Sequence, residues 1–451
     1  NRTIHRSAMH GPKWSVSSNF NGAFAVAPID LDRDGDVDLC GGAYTADTVS
    51  WFENLDSMGS TWTQHVVASF FDGVYWVRSA DMDRDGDADL VGAAGWANDI
   101  AWWENLDGSG NSWTQRMVDP LFLGASCVDA SDVDGDGSMD LIGSASTWHR
   151  LAWWRNNDGF GTAWTQYVIT TNLQSALFVR GADIDLDGDA DVLAAAGAAN
   201  KVAWFENTDG TGTNWLEHVV TASLSFARAA AVADIDRDGD MDVVAVGQWT
   251  DDVVWFENTD RIGTAWTMHD IDMSFHDAYS IESVDMDCDG DCDVLAAGKE
   301  GHQVAWLENQ GGSGTNWIKH AVGSSLPYSQ HAVSVDLDRD GDFDVAIAEY
   351  YDGMTWLENR GGQFAMLASN MAAYVGLESQ SHAMLRITMT HRGQPGDTDE
   401  ELSEMILLFE EAGGDPLTSV EADALIEDLH LYVDNGNGVF EPAYDTLFVT
   451  L

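Results

Sequence analysis

The nine-residue string Asp-x-Asp-x-Asp-Gly-x-x-Asp begins at Asp30 and again at Asp81, Asp132, Asp183, Asp234, Asp285 and Asp336, each start 51 residues after the one before. A fixed period of this length marks a single supersecondary unit repeated into a solenoid or a propeller. Other landmarks keep the register. Trp51, Trp102, Trp153, Trp204, Trp255 and Trp306 follow their string by 21 residues, mostly with an aromatic, Glu and Asn behind them, and Trp356 comes one residue early. A second series, Trp62, Trp113, Trp164, Trp215, Trp266 and Trp317, precedes strings two to seven by 19 residues.

Within the second unit the pattern predicts four strands, Val74 to Ala80, Ala88 to Ala93, Ile100 to Asn105 and Trp113 to Val118, separated by turn-rich segments. Four short antiparallel strands in each of seven units fit a seven-bladed β-propeller better than a parallel β-helix, whose repeats are shorter. The predicted fold class is therefore all-β. Alternation places the third- and fourth-strand Trp residues on blade faces, where they pack against neighbouring sheets.

The chain carries 76 Asp and Glu against 20 Lys and Arg, a formal charge of -56. Such a surface repels phosphate backbones, which excludes nucleic acid as a partner. No stretch approaches the ~20 consecutive apolar residues of a membrane-spanning helix. The opening at Asn1, with no basic-then-apolar leader, reads as a mature or trimmed chain.

The acidic strings hold 34 of the 76 acidic residues. Hard cations such as calcium take six to eight oxygen ligands, and carboxylates at alternate positions around a glycine turn supply them. Positions one, three, five and nine are Asp in all seven copies, and position seven is Asp in six and Ser138 in the third. A serine there suits a position that offers its backbone carbonyl.

The expected metal residues are accordingly Asp30, Asp32, Asp34, Asp36 and Asp38; Asp81, Asp83, Asp85, Asp87 and Asp89; Asp132, Asp134, Asp136, Ser138 and Asp140; Asp183, Asp185, Asp187, Asp189 and Asp191; Asp234, Asp236, Asp238, Asp240 and Asp242; Asp285, Asp287, Asp289, Asp291 and Asp293; and Asp336, Asp338, Asp340, Asp342 and Asp344. About seven calcium ions follow, one per blade, in a structural role. Strands flank these loops, and they lack the position-twelve Glu of a helix-flanked EF-hand. The competing reading, solvated acidic turns without metal, leaves five carboxylates in nine residues to repel one another.

These loops, as in Asp234-Ile-Asp-Arg-Asp-Gly-Asp-Met-Asp242, together with the Trp-Phe-Glu-Asn strands such as Trp255 to Asn258, resemble the FG-GAP or VCBS repeat family of calcium-bearing propellers, found in integrin alpha subunits and secreted bacterial proteins. The resemblance covers roughly residues 13 to 369. It implies an extracellular adhesion or carbohydrate-binding scaffold, enzymatic only in a minority. The third repeat departs from its sisters at Gly135, Ser138 and Arg155, which points to a weaker site.

Propeller topology puts the acidic loops on one face together with the turns between strands three and four. The other face carries the most variable segments, among them Tyr44, Trp96, Trp148, Trp249 and Tyr350. Aromatics on loops held by a rigid scaffold suit stacking on a sugar or a protein partner, or they cap the blade tops. The outer strand occurs eight times if Lys13 to Ser17 and Gln363 to Ser369 are both counted, so either terminus can close the seventh blade.

Cys288 and Cys292, in the sixth loop, are close enough in sequence for a local disulfide if geometry permits, and Cys40 and Cys127 read as buried thiols. From about residue 372 the repeat gives way to strands at Ala383 to Thr390, Met405 to Phe409, Leu429 to Val433 and Thr446 to Leu451, with a helix near Ser419 to Leu429. This region, 372 to 451, resembles a small, incomplete immunoglobulin-like β-sandwich. Asp434, Asn437 and Asp445 are candidates for one more calcium.

An incomplete sandwich recruits a strand, and the leftover segment 1 to 12 is a candidate donor that would build filaments of identical chains. The natural chain also extends beyond Leu451 under the alternative reading. No convergent nucleophile, acid and base is evident, and His65, His218, His269 and His320 share one blade position, which suits structure better than catalysis. The first functional reading is a secreted, calcium-stabilised structural or adhesion module, not an enzyme; the alternative is a lectin-like propeller.

Overall fold

The computed structural model describes residues 10–323, 326–359, 364–370, 385–391, 430–433 and 446–450. Contacts divide the chain into two units, Asn1–Gly362 and Gln363–Leu451. The first holds seven four-stranded antiparallel sheets, one for each 51-residue repeat. In the second blade the strands are Val74–Ala80, Asp89–Ala94, Asp99–Asn105 and Trp113–Asp119, within a residue of the periodicity-based bounds.

Why each strand reads as it does follows from its radial place. The second strand is covered on both sides by neighbouring blades, and every residue of it is buried in all seven blades, as in Asp191–Ala196. Small and β-branched residues fill it because sheets packed face to face leave no room for alternation. The fourth strand lies on the rim and alternates, as in Trp62–Ser69, with one face toward solvent.

The N-terminal strand closes the ring. His10–Ser17 pairs antiparallel with Gly353–Asn359, matching Trp14 to Trp356, so it is the outer strand of the seventh blade. Of the expected donor segment 1 to 12, residues 10 to 12 belong to a strand already paired in its own chain, and residues 1 to 9 lie outside the described residues. Phe364–Asn370 pairs with Leu385–His391 in a separate two-stranded sheet of the second unit. In that unit His430–Val433 also pairs with Thr446–Thr450. The expected strand at 405–409, the helix near 419–429 and the metal candidates Asp434, Asn437 and Asp445 lie outside the described residues.

Neighbouring blades are joined by a repeated hydrogen bond. The indole of each third-strand Trp is buried and, in every blade but the sixth, donates to a glycine carbonyl in the next blade: Trp51 to Gly110 at 3.1 Å, Trp153 to Gly212 at 2.8 Å, Trp204 to Gly263 at 2.8 Å and Trp255 to Gly314 at 3.0 Å. Trp356 of the last blade reaches Gly59 of the first at 2.8 Å. Gly59 has φ of 64°, and a Cβ there would stand 2.6 Å from the Trp356 ring, so glycine is required both for the turn and for the close approach.

The four repeated histidines are structural. Each stacks on the third-strand Trp of its own blade, with centroids 4.3 Å apart for His65 on Trp51, and bonds the adjacent Glu, as His65 Nε2 does Glu53 at 2.8 Å. Cys40 and Cys127 are buried, and burial pushes both thiols up to about 12. No disulfide joins Cys288 to Cys292.

Val16 of the closing strand is buried while Ser15 beside it is exposed. Val16→Asp buries an uncompensated charge and is expected to cost about 3 kcal/mol or more, whereas Ser15→Asp stays within about 0.5 kcal/mol. Thermal unfolding of the two variants checks this.

Candidate functional site: the acidic loops and the opposite face

Each acidic loop joins the first and second strands of its blade and is built by its own carboxylates. Position three accepts the backbone N–H of position five, as Asp32 does from Asp34 at 3.1 Å, and position five accepts that of position seven, as Asp34 does from Asp36 at 3.0 Å. Position one accepts the N–H of the glycine at position six, as Asp81 does from Gly86 at 3.1 Å. That glycine has φ near 90° in most copies, 93° at Gly35 and 96° at Gly188, which side chains with a Cβ rarely adopt.

Position nine ties the loop to the sheet. Asp38 accepts the N–H of Leu31 at 3.2 Å and that of Asn54 on the third strand at 2.8 Å, and the same pair of bonds recurs at Asp89, Asp140, Asp191, Asp242, Asp293 and Asp344. The Asn side chain extends the tie to the preceding blade, where Asn207 Nδ2 donates to Val133 O at 2.9 Å and Asn309 Nδ2 to Ile235 O at 2.8 Å.

The carboxylates converge. Oxygens of Asp30, Asp32 and Asp38 lie within 4.8 Å of one another, as do those of Asp183, Asp185 and Asp191, and those of Asp234, Asp236 and Asp242. Several have no donor to meet. One oxygen of each first-position residue Asp81, Asp183, Asp234, Asp285 and Asp336 is buried without a hydrogen-bond partner among the described residues, as is one of Asp36 in the first loop. A buried, unpartnered carboxylate oxygen costs roughly 1–3 kcal/mol, so six loops carry an unmet demand for a positive partner. Oxygen-only donors, gathered this closely around a glycine turn, fit a hard divalent cation.

The third loop differs. Both oxygens of Asp132 are used, by the N–H groups of Asp136 at 3.1 Å and Gly137 at 2.8 Å. Arg155, standing where the sister blades carry Glu53, Glu104, Glu206, Glu257, Glu308 and Glu358, places its guanidinium 2.7 Å from Asp134 and 3.1 Å from Asp136. Oxygens of Asp132, Asp134 and Asp136 also lie within 4.8 Å of one another, but this loop is partly neutralised from within its own blade and fits a divalent ion less well than the others.

Position-seven side chains face the position-five carboxylate of their own loop, as Asp36 does Asp34, and also reach neighbours. Asp36 accepts from Ser57 in the turn between strands three and four at 2.8 Å. Asp87 pairs with Arg33 of the preceding loop, and Asp291 with Arg237 of the preceding loop at 3.4 Å. These arginines sit at loop position four, with φ of 63° and 64°, a left-handed conformation that turns the side chain toward the next blade.

On the opposite face the variable aromatics form separate groups. Tyr44 packs on Trp96 at 4.5 Å and Tyr75 at 4.9 Å; Trp249 stacks on Phe226 at 4.4 Å; Tyr350 meets Tyr351 at 5.1 Å. Trp148 lies edge-on to Phe122 at 6.4 Å and carries Arg150 over its ring, so it caps its blade.

Sequence reasoning marked Arg155 as a departure but did not place it, or the Glu of the sister blades, over the acidic loop. It missed the group of Arg228, Tyr279 and Lys299 altogether, although Arg228 and Tyr279 lie 51 residues apart and hold the same first-strand position of adjacent blades.

Burial pushes the position-nine carboxyls of Asp38, Asp89, Asp140, Asp191 and Asp242 up to about 7, and that of Asp293 to about 8. In metal-free protein the folded state then holds more protons than the unfolded one between about pH 4 and pH 7, so stability falls as pH rises through that window. In excess chelator the melting temperature is expected to be higher at pH 5 than at pH 8, measured by circular dichroism.

No curated protein shows a significant match. Two solved structures with the same fold are those of BBS1N in complex with ARL6DN, from crystals soaked with mercury and with lead. They are 10% and 11% identical, with TM-scores of 0.54 and 0.55, covering 79% and 78% of this chain and 98% and 97% of theirs. The FG-GAP-like repeat matches six times, at residues 30–92, 81–143, 132–194, 183–245, 234–296 and 285–347, each match running from one acidic loop into the next. Together these matches span most of the propeller and more than half of the chain, and the chain belongs to the FG-GAP-like repeat family.

Proposed function

We propose that this chain is a calcium-stabilised extracellular scaffold for adhesion or protein interaction, holding a cation in six of its seven loops and binding through the face opposite them. The observation that carries the proposal is the set of buried, unpartnered carboxylate oxygens in every loop except the third. Loops of this composition in extracellular modules bind calcium at about 10⁻⁴–10⁻³ M, concentrations met outside cells. When bound, the ion supplies the charge that lets each loop's carboxylates stand together. The positions that hold it are one, three, five and nine by side chain and seven by carbonyl.

A propeller pinned on one face leaves its other face free to vary without loss of fold. The similar propeller BBS1N has been crystallised in complex with ARL6DN, which supports reading such a surface as one for partners. No helix among the described residues is long and apolar enough to cross a membrane.

Native mass spectrometry or calorimetry in calcium is expected to give six bound ions per chain. Arg155→Glu, which restores the residue type of the sister blades, is expected to raise the count to seven. A wild-type count of zero overturns the cation assignment, and a count of seven overturns the role given to Arg155.

A further inference from the structure

On the propeller axis, at the face opposite the acidic loops, the first strands and the loops between strands two and three enclose an open depression of about 260 Å³. Its composition is the reverse of the chain's. None of its lining residues is acidic, although the chain as a whole carries nearly four acidic residues for each basic one, and it contains two cations, Arg228 and Lys299. No carboxylate among the described residues lies within ion-pair distance of either. Asp277, whose carbonyl accepts the Lys299 N–H at 3.0 Å, has its carboxylate occupied by Gln248 Nε2 at 2.7 Å and the N–H of Glu300 at 3.0 Å.

Arg228 is held 4.0 Å over the ring of Tyr279, and Lys299 stands 5.4 Å from the same ring on another element. Cation–π contacts of this kind orient a guanidinium while leaving its N–H edge available. Beside them Trp249, 69% exposed, lies flat on Phe226 and presents its outer face to the opening. An adjoining small space shares Ser126, Leu177, Arg228 and Tyr279 with the depression and is lined also by Gln330, which is 3% exposed and whose side-chain oxygen has no partner among the described residues. That acceptor calls for a hydroxyl or a water.

A fixed guanidinium, a second cation, an indole platform and a buried orphan acceptor together describe a ligand with a carboxylate, an apolar flat face and hydroxyl groups. We propose that this axial depression binds a carboxylate-bearing sugar residue, the carboxylate on Arg228 and Lys299 and the ring against Trp249. The volume lies just under the ~300 Å³ at which drug-sized sites begin, which suits one sugar unit. The overall charge of -56 opposes approach of any anion, but at physiological salt charges beyond ~8 Å are largely screened, so the local pair of cations decides. This inference rests on reading the loop face as the binding face, and names its ligand.

The test is tryptophan fluorescence titration of the full chain in calcium with D-galacturonate, N-acetylneuraminate, galactose 6-sulfate, galactose and acetate. The expected result is saturable binding of the carboxylate sugars, with a dissociation constant on the order of 1 mM, and at least about tenfold weaker binding of galactose. Arg228→Gln is expected to weaken the acid sugars by about tenfold or more at unchanged melting temperature, with a smaller loss for Lys299→Gln. Equal binding of galactose, preference for the sulfate, acetate binding as well as the sugars, no effect of Arg228→Gln, or no binding at tens of millimolar each overturns the proposal. Calcium counts on the same samples separate the two readings: retained calcium without sugar binding removes only the ligand assignment, whereas loss of both removes the scaffold reading as well.

Discussion

Mutual repulsion among carboxylates is the constraint on which the rest of this structure depends. Each acidic loop gathers four or five of them around a turn that only glycine permits, and ties them to both neighbours of that turn: the second strand by chain continuity and the third by the hydrogen bond that position nine accepts from the Asn N–H. The Asn that receives this tie then reaches the preceding blade. Strain at one loop is thus transmitted through a whole blade and into the next. Under the proposed function a divalent ion relieves it in six copies, while in the third the Arg155 guanidinium from the adjacent strand already contacts Asp134 and Asp136.

The second organising feature is closure. The Trp-to-glycine bonds run from blade to blade in one sense for every blade but the sixth and return from Trp356 to Gly59, while the N-terminal strand completes the last sheet. A ring joined in this way has no exposed inner edge and distributes its core over all blades. The consequence for function is spatial separation. The acidic loops occupy one face, and the loops of the other can accept any sequence that caps a blade. Where those loops converge on the axis, the chain places cations and aromatics, against its overall acidity.

Much of this was legible in the sequence because it is periodic. The 51-residue interval gave seven units, the alternate Asp positions gave the loops, and the repeated histidines pointed to a role shared by blades, which the Trp–His–Glu stacks fulfil. What was not legible depends on single copies or on pairing between distant strands. That His10–Ser17 and not the strand at 364–370 completes the seventh blade is decided by which edge each meets, and both carry the same local pattern. Arg155 stood out as a departure, but its meaning required knowing that strand three places this position over the loop. The axial group combines Arg228 and Tyr279, which hold the same position of adjacent blades 51 residues apart, with Lys299 from another position; because the residue type at that shared position changes from blade to blade it gives no repeating signal, and only the folded ring brings out the group.

The central claim is that the loops need a divalent cation for the fold to be stable at neutral pH. The most direct measurement is the melting temperature of the purified chain at pH 7.5 in millimolar calcium and after exhaustive chelation. Six sites held well above their dissociation constants are expected to raise it by more than about 10 °C, because each site at a hundredfold excess adds ~2.7 kcal/mol to the folded state. An unchanged melting temperature would contradict the account, leaving the acidic loops as turns that fold without metal.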